Sequence, residues 1–306
     1  MKKTGVLLFS MGGPEKEADV YPFLKKLFAD PAILRIPAPI RFFLAKIIAK
    51  KRTKEALHIY RALGGGSPLR VQTEEQTKAL QDVLGPAYFC CAGFSYTKPS
   101  IAEAVYKIEK EGCEEIVALP LYPQYSTATT ESGFRAIEKS AKRKIKKIIS
   151  YETEEGFIEG MAQRIEPLLF EAEKKGEVCL LFSAHGLPER IVQAGDPYPA
   201  QCEQTARALE RRLSRKGTLC YQSRVGSLKW IGPATEDEIR AAARAGKAIV
   251  VVPIAFVCEH SETLYELSIL NRQRAEEAGA SSYAVAETVR CDPHFINGLA
   301  RLVRSC

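Results

Sequence analysis

The sequence predicts an α/β fold made of two similar doubly wound, Rossmann-like halves whose parallel sheets face a shared cleft. Three observations carry this. With 306 residues, 46% hydrophobic and 26% charged, the chain has ordinary globular composition and the length of about two domains. Short apolar runs alternate with longer charged stretches from end to end, the pattern of parallel strands joined by crossover helices. Finally, pieces recur in order. Leu7-Leu-Phe-Ser-Met-Gly-Gly-Pro14 resembles Leu180-Leu-Phe-Ser-Ala-His-Gly-Leu-Pro188, and Ile116-Val-Ala-Leu-Pro-Leu121 resembles Ile249-Val-Val-Val-Pro-Ile254.

In the first half the apolar runs place strands at residues 5–10, 87–92, 115–121 and 147–151, with a helix at 101–111. In the second half they place strands at 178–183, 218–222, 248–257 and 282–285. Helices follow at 156–174, 200–214, 236–245 and 262–277. The recurring pieces lie farther apart in the first half (positions 7 and 116) than in the second (180 and 249), so the first half carries an insertion. The expected organisation is therefore 1–147 with an insertion at about 21–67, then 148–290, then a C-terminal helix at 291–306 that packs back on the N-terminal half.

The insertion also holds the charge. Residues 21–54 carry nine basic side chains against Asp30 alone, while the whole chain is only +7, so the remainder is near neutral. That distribution argues against a nucleic-acid binder. Pro37 and Pro39 start a helical pattern in which Ile40, Phe43, Leu44, Ile47 and Ile48 form one apolar stripe flanked by Arg41, Lys46, Lys50, Lys51 and Arg52. Such a helix either packs on its own domain or lies at a membrane interface. No run of about 20 apolar residues exists to span a bilayer. The apolar residues 6–9 are too few for a signal peptide. Nine cysteines without a C-x-x-C pair read as reduced intracellular thiols, not as a disulfide frame or a zinc site.

In open α/β sheets ligands bind at the carboxyl ends of strands, which directs attention to residues 11–14, 122–130, 185–190 and 257–266. His185 ends an apolar strand and can accept a proton near neutral pH or contact a metal. Glu262 and Glu266 stand four apart at the start of a helix for which Ser261 is the expected N-cap, and His260 precedes them. No phosphate-binding glycine motif follows the first strand, which weighs against a nucleotide enzyme. Tyr60, Tyr122, Tyr125, Trp230 and Phe256 fall near the same loops and would suit a large, flat, apolar ligand.

Together these stretches resemble the ferrochelatases, which insert ferrous iron into a porphyrin in haem synthesis. The matching segments are Met11–Pro14, Tyr60–Pro68, Tyr122–Ser126, Phe182–Pro188, Gly195–Pro199, Gln222–Gly226, Trp230–Pro233 and His260–Glu266. The resemblance implies a chelatase-like fold, with His185 and Glu262 as catalytic residues that also contact the metal. It implies a porphyrin site of Met11, Arg52, Tyr60, Ser67, Tyr122, Ser126, Trp230 and Phe256, with Glu259, His260 and Glu266 as secondary polar groups. Met11, where some members have tyrosine, implies protoporphyrin IX and a protohaem product; a coproporphyrin enzyme and a non-catalytic porphyrin or haem carrier remain as alternatives. Fe2+ enters as substrate and no cofactor is required. A [2Fe–2S] cluster is not expected, because Thr127 stands at one ligand place and no cysteine-rich extension follows. Ser95, Glu259, Ser268 and Leu270 depart from the family pattern. The expected setting is cytoplasmic, with peripheral contact to an anionic membrane through residues 21–54 on the inner face of the cytoplasmic membrane. Oligomeric state is left open.

Overall fold

The computed structural model describes residues 3–34, 36–223 and 228–306. Arg35 of the basic segment and Arg224, Val225 and Gly226 of the Gln222–Gly226 stretch lie outside the described residues. The chain divides into two compact units, Met1–Ile149 with Leu299–Cys306, and Ser150–Gly298.

The first unit is built from β1 (Thr4–Ser10), α1 (Glu17–Ala29), α2 (Ala38–Ala62), α3 (Leu69–Leu84), β2 (Tyr88–Phe94), α4 (Ile101–Lys110), β3 (Glu115–Pro120), α5 (Thr130–Ser140) and β4 (Lys144–Lys147). Its strands form one parallel sheet in the order β2-β1-β3-β4. Val6, Leu7, Leu8 and Phe9 are all fully buried, as a central parallel strand covered on both faces requires. Gly5 is needed beneath α4: a β-carbon there would stand 2.2 Å from Ile108 Cγ2. One face of the sheet packs Leu7, Phe9 and Ile116 against Ile101, Val105, Ile108 and Phe134.

The insertion is a helical hairpin, α1 and α2, with a small core of Val20, Leu24, Ala49 and Tyr60. Asp30, which ends α1, ties it to the loop after β2 and to α5 by accepting hydrogen bonds from the Tyr96 hydroxyl (2.8 Å) and the Ser132 hydroxyl (2.9 Å). The predicted apolar stripe does not turn inward as a whole. Ala45 and Ala49 are buried and Leu44 and Ile48 half-buried, whereas Ile40, Phe42, Phe43 and Ile47 are exposed, Phe43 by 64%. Small alanines let α2 sit close to its own unit, and the bulky residues point away.

The second unit holds α6 (Glu155–Glu173), β5 (Val178–His185), α7 (Glu189–Gln193), α8 (Tyr198–Leu213), β6 (Thr218–Gln222), α9 (Thr235–Arg244) and β7 (Ala248–Pro253). A π-helix (Glu262–Leu270), α10 (Asn271–Glu277), β8 (Ser282–Val285) and α11 (Pro293–Ser305) complete the sequence of elements. The parallel sheet runs β6-β5-β7-β8, which repeats the order of the first unit. The paired sequence segments thus mark β1 with β5 and β3 with β7.

Three expectations are corrected. The strand expected at 147–151 is β4, three residues earlier, where Glu115 pairs with Lys144 and Ala118 with Lys147. A lysine-rich edge strand carries no apolar signature, and its charges suit an unpaired edge. The strand expected to reach Val257 stops at Pro253, which has no N–H to donate. The helix expected from 262 begins as a π-helix, and Ser261 has helical dihedrals with no capping bond from its side chain.

Candidate active site

Within the second unit, β5 runs two residues further than its apolar core predicts and ends on His185. The imidazole Nδ1 lies 2.6 Å from the Gly186 carbonyl. A carbonyl only accepts, so the proton sits on Nδ1 and the Nε2 lone pair is left for other work. Nε2 stands 3.6 Å from Glu262 Oε1. That is too long for a hydrogen bond, yet close enough for a charge on one to be felt by the other. The Glu262 Oε2 is buried and has no hydrogen-bond partner among the described residues. Burial raises the affinity of this carboxyl for a proton above the ordinary carboxylate range; His185 pulls the other way and Glu266 adds to the rise.

The backbone around Glu262 is held by its neighbours. His260 Nδ1 accepts the Glu262 N–H (3.1 Å), which takes over the capping duty expected of Ser261. Burial keeps the His260 imidazole neutral, its pKa lowered to about 3, and a proton gained by His185 would act in the same direction. Phe256 packs edge-on against that ring, centroids 4.4 Å apart. Glu259 is buried and committed: it accepts the Thr288 N–H at 2.7 Å and the Thr263 hydroxyl at 2.5 Å. Glu266 accepts from Ser223 twice, from the N–H at 2.8 Å and the hydroxyl at 2.5 Å. Trp230 bridges to Pro188 across a short antiparallel pairing, which brings its indole 6.5 Å from the His185 ring.

Thus His185, Glu262, Trp230, Phe256, His260, Glu259 and Glu266 all belong to one unit, and His185, Glu262 and Trp230 meet. The remaining predicted residues belong to the first unit. Met11 follows β1, and its carbonyl accepts the Tyr96 N–H at 3.0 Å. Buried Ser67 donates its N–H to Pro14 at 2.7 Å, so the Met11–Pro14 turn and Ser67 are in contact. Gly13 makes that approach feasible, since a β-carbon there would come within 2.9 Å of the Ser67 side chain. Tyr60 is taken into the hairpin core, Arg52 is half-buried on α2, and Tyr122 is half-buried beyond β3. The buried Ser126 hydroxyl accepts the Ala128 N–H (3.2 Å) in the turn leading into α5. Ser183, Gln222 and Ser223 were not singled out from sequence. A buried polar side chain within an apolar strand was the available signal for the first two.

The ferrochelatase family model matches residues 3–306. The chain belongs to the ferrochelatase family. It is a lyase of haem synthesis that inserts metal into a porphyrin. The ferrochelatase of Caulobacter vibrioides is 44% identical over 99% of this chain and 90% of its own. Those of Hyphomonas neptunium and Aquifex aeolicus are each 42% identical, over 100% and 99% of this chain and 91% and 99% of theirs. Among solved structures, the ferrochelatase fold is matched by SirB from Bacillus subtilis with Fe3+, at a TM-score of 0.59 and 11% identity over 100% of this chain and 95% of that one. CbiX, described as the terminal enzyme of sirohaem biosynthesis in denitrifying bacteria, gives 0.55 at 13% identity over 100% and 99%. At such identities these two show the shared fold.

Proposed function

We propose that the porphyrin is protoporphyrin IX, that Fe2+ is the metal, and that His185 and Glu262 accept the two protons the macrocycle gives up. One observation carries this reading: Nδ1 of His185 is occupied by Gly186, so Nε2 faces the Glu262 carboxylate across a 3.6 Å gap. Metallation replaces two pyrrole N–H protons with one divalent iron, so two acceptors balance the charge. The Glu262 carboxylate is a stronger base than an ordinary one because burial penalises its ionised form. His185 supplies a neutral lone pair, and after protonation the imidazolium is stabilised by the adjacent carboxylate. Imidazole nitrogen and carboxylate oxygen also suit ferrous iron in transit. His260, held neutral, keeps a third charge out of the site. The chemistry requires no resident cofactor, since iron is itself a substrate.

Met11 supports protoporphyrin IX as substrate because an unbranched thioether packs on an apolar ring face without asking for a hydrogen bond. Anaerobic incubation of the protein with Fe2+ and either protoporphyrin IX or coproporphyrin III, followed by porphyrin absorption, tests the assignment. Faster metallation of protoporphyrin IX is expected. A preference for coproporphyrin III overturns the substrate, and no rate above the protein-free control overturns catalysis in favour of a carrier.

We further propose that the protein is cytoplasmic and that residues 21–54 contact an anionic membrane surface. No helix among the described residues is long and apolar enough to cross a membrane. The exposed Ile40, Phe43 and Ile47, flanked by Lys46 and Lys50, have the composition of an interfacial face.

A further inference from the structure

Behind the His185–Glu262 pair lies a polar chain that the proposed chemistry does not use. Gln222, the last residue of β6, is 3% exposed. Its Oε1 accepts the Ser183 hydroxyl at 2.7 Å, and its Nε2 donates to the main-chain carbonyl of Glu262 at 3.3 Å. Its own carbonyl accepts the Gly186 N–H at 2.9 Å. The Ser183 hydroxyl has one proton and spends it on Gln222; on its other side it lies 2.9 Å from the Thr235 hydroxyl, which in turn donates to Cys220 Sγ at 3.3 Å. The amide is oriented from its other end: the Glu262 carbonyl only accepts, so the amide N–H must face the π-helix and Oε1 is left for Ser183.

One buried residue therefore holds both members of the pair. Through its backbone it holds the N–H of Gly186, the residue whose carbonyl takes the His185 Nδ1 proton. Through its side chain it grips the peptide that carries Glu262. The pair needs this, because His185 Nε2 and Glu262 Oε1 are too far apart to fix each other by a hydrogen bond. A gap set from outside stays open to an incoming proton or metal, whereas a bonded pair would close on itself.

We propose that Gln222 is a positioning residue for the His185–Glu262 pair, its side-chain amide setting where Glu262 stands relative to His185 by bridging Ser183 and the Glu262 carbonyl. This rests on the pair reading above, and the test separates the two. Steady-state metallation of protoporphyrin IX by Fe2+ is measured for the full chain carrying Gln222→Met, Ser183→Ala, Glu262→Gln, and Gln222→Met with Glu262→Gln. Methionine fills the glutamine volume without its polar atoms. Loss of an outer group that orients a reacting one typically costs about 10–100-fold, so Gln222→Met should lower kcat by that factor with the porphyrin KM within about twofold. In the Glu262→Gln background the same change should add less than about twofold, because nothing remains for it to position. A general loss of packing would instead multiply. Should Gln222→Met fail to fold, Ser183→Ala reads the same bridge from its other end and should lower kcat with KM held. An active-as-wild-type Gln222→Met beside a disabled Glu262→Gln overturns the positioning role alone, as does a multiplicative double variant. Wild-type activity in Glu262→Gln overturns the pair reading and the positioning role with it.

Discussion

Replacing Glu262 with glutamine should make the ligand-free protein more stable while removing most of its activity. The buried Oε2 has no partner among the described residues, and Oε1 reaches His185 only at 3.6 Å. Leaving a buried oxygen unpaired costs about 1–3 kcal/mol, and more when it is ionised. Glutamine keeps the size and loses the charge, though its amide retains part of the desolvation cost, so a net gain of about 1 kcal/mol is expected. For a unit of this size that corresponds to about 2–4 °C in Tm. The pH dependence follows from the raised folded-state pKa. Below the unfolded value of about 4.3 the carboxyl is protonated in both states and the penalty is absent. It grows as pH rises and is complete above the folded pKa, so the gain from glutamine should be full at neutral pH and fade towards pH 4. Calorimetry of both proteins between pH 4 and 8, beside a metallation assay expected to fall about 10²-fold or more, checks this. A lower Tm at neutral pH, or a gain that survives at pH 4, would refute the claim that burial strains this carboxylate.

His185→Ala should lower kcat by about 10²–10⁴-fold with little change in Tm, as read from initial metallation rates and calorimetry on one preparation. Gly186→Ala would set a β-carbon 3.0 Å from the Gln222 carbonyl and 3.3 Å from the Trp230 ring; urea unfolding should show a loss of about 1–3 kcal/mol together with a slower kcat. Phe43→Ser with Ile47→Ser removes two exposed apolar anchors worth about 1.5–3 kcal/mol each when buried. Sedimentation with anionic liposomes should therefore weaken at least tenfold, and unchanged binding would remove α2 from the membrane proposal. Met11→Tyr should slow protoporphyrin metallation relative to coproporphyrin, measured as the ratio of kcat/KM for the two porphyrins.

Much of the fold was legible because a central parallel strand advertises itself. The runs around Leu7 and Leu181 are apolar on both faces, and no other common element explains so short a stretch. β4 was misplaced because its side chains are nearly all lysines, where pairing with β3 decides the position and hydrophobicity says nothing. A π-helix and an ordinary helix present similar residue patterns, and they differ in which carbonyl each N–H reaches, which residue types do not encode. At the site, residue types could nominate His185 and Glu262, but not the tautomer of one or the unpaired oxygen of the other. Those depend on Gly186 and on burial, which are tertiary facts. Tyr60 illustrates the reverse limit. An aromatic near a candidate loop suits a ligand wall and a core equally well, and here it fills the hairpin core.

The assignment of Leu299–Cys306 to the first unit has a consequence for how the protein is made. Leu299, Ala300 and Val303 are buried, and Arg304 donates to the Val83 carbonyl at 2.7 Å. A ribosome adding about 5–20 residues per second reaches this segment roughly 150 residues, or about 8–30 s, after Ile149. Through that interval the first unit waits with part of its cover missing while the whole second unit is synthesised. The half that begins first is therefore among the last to be finished, and a nascent chain stalled before residue 299 exposes apolar surface on its oldest part.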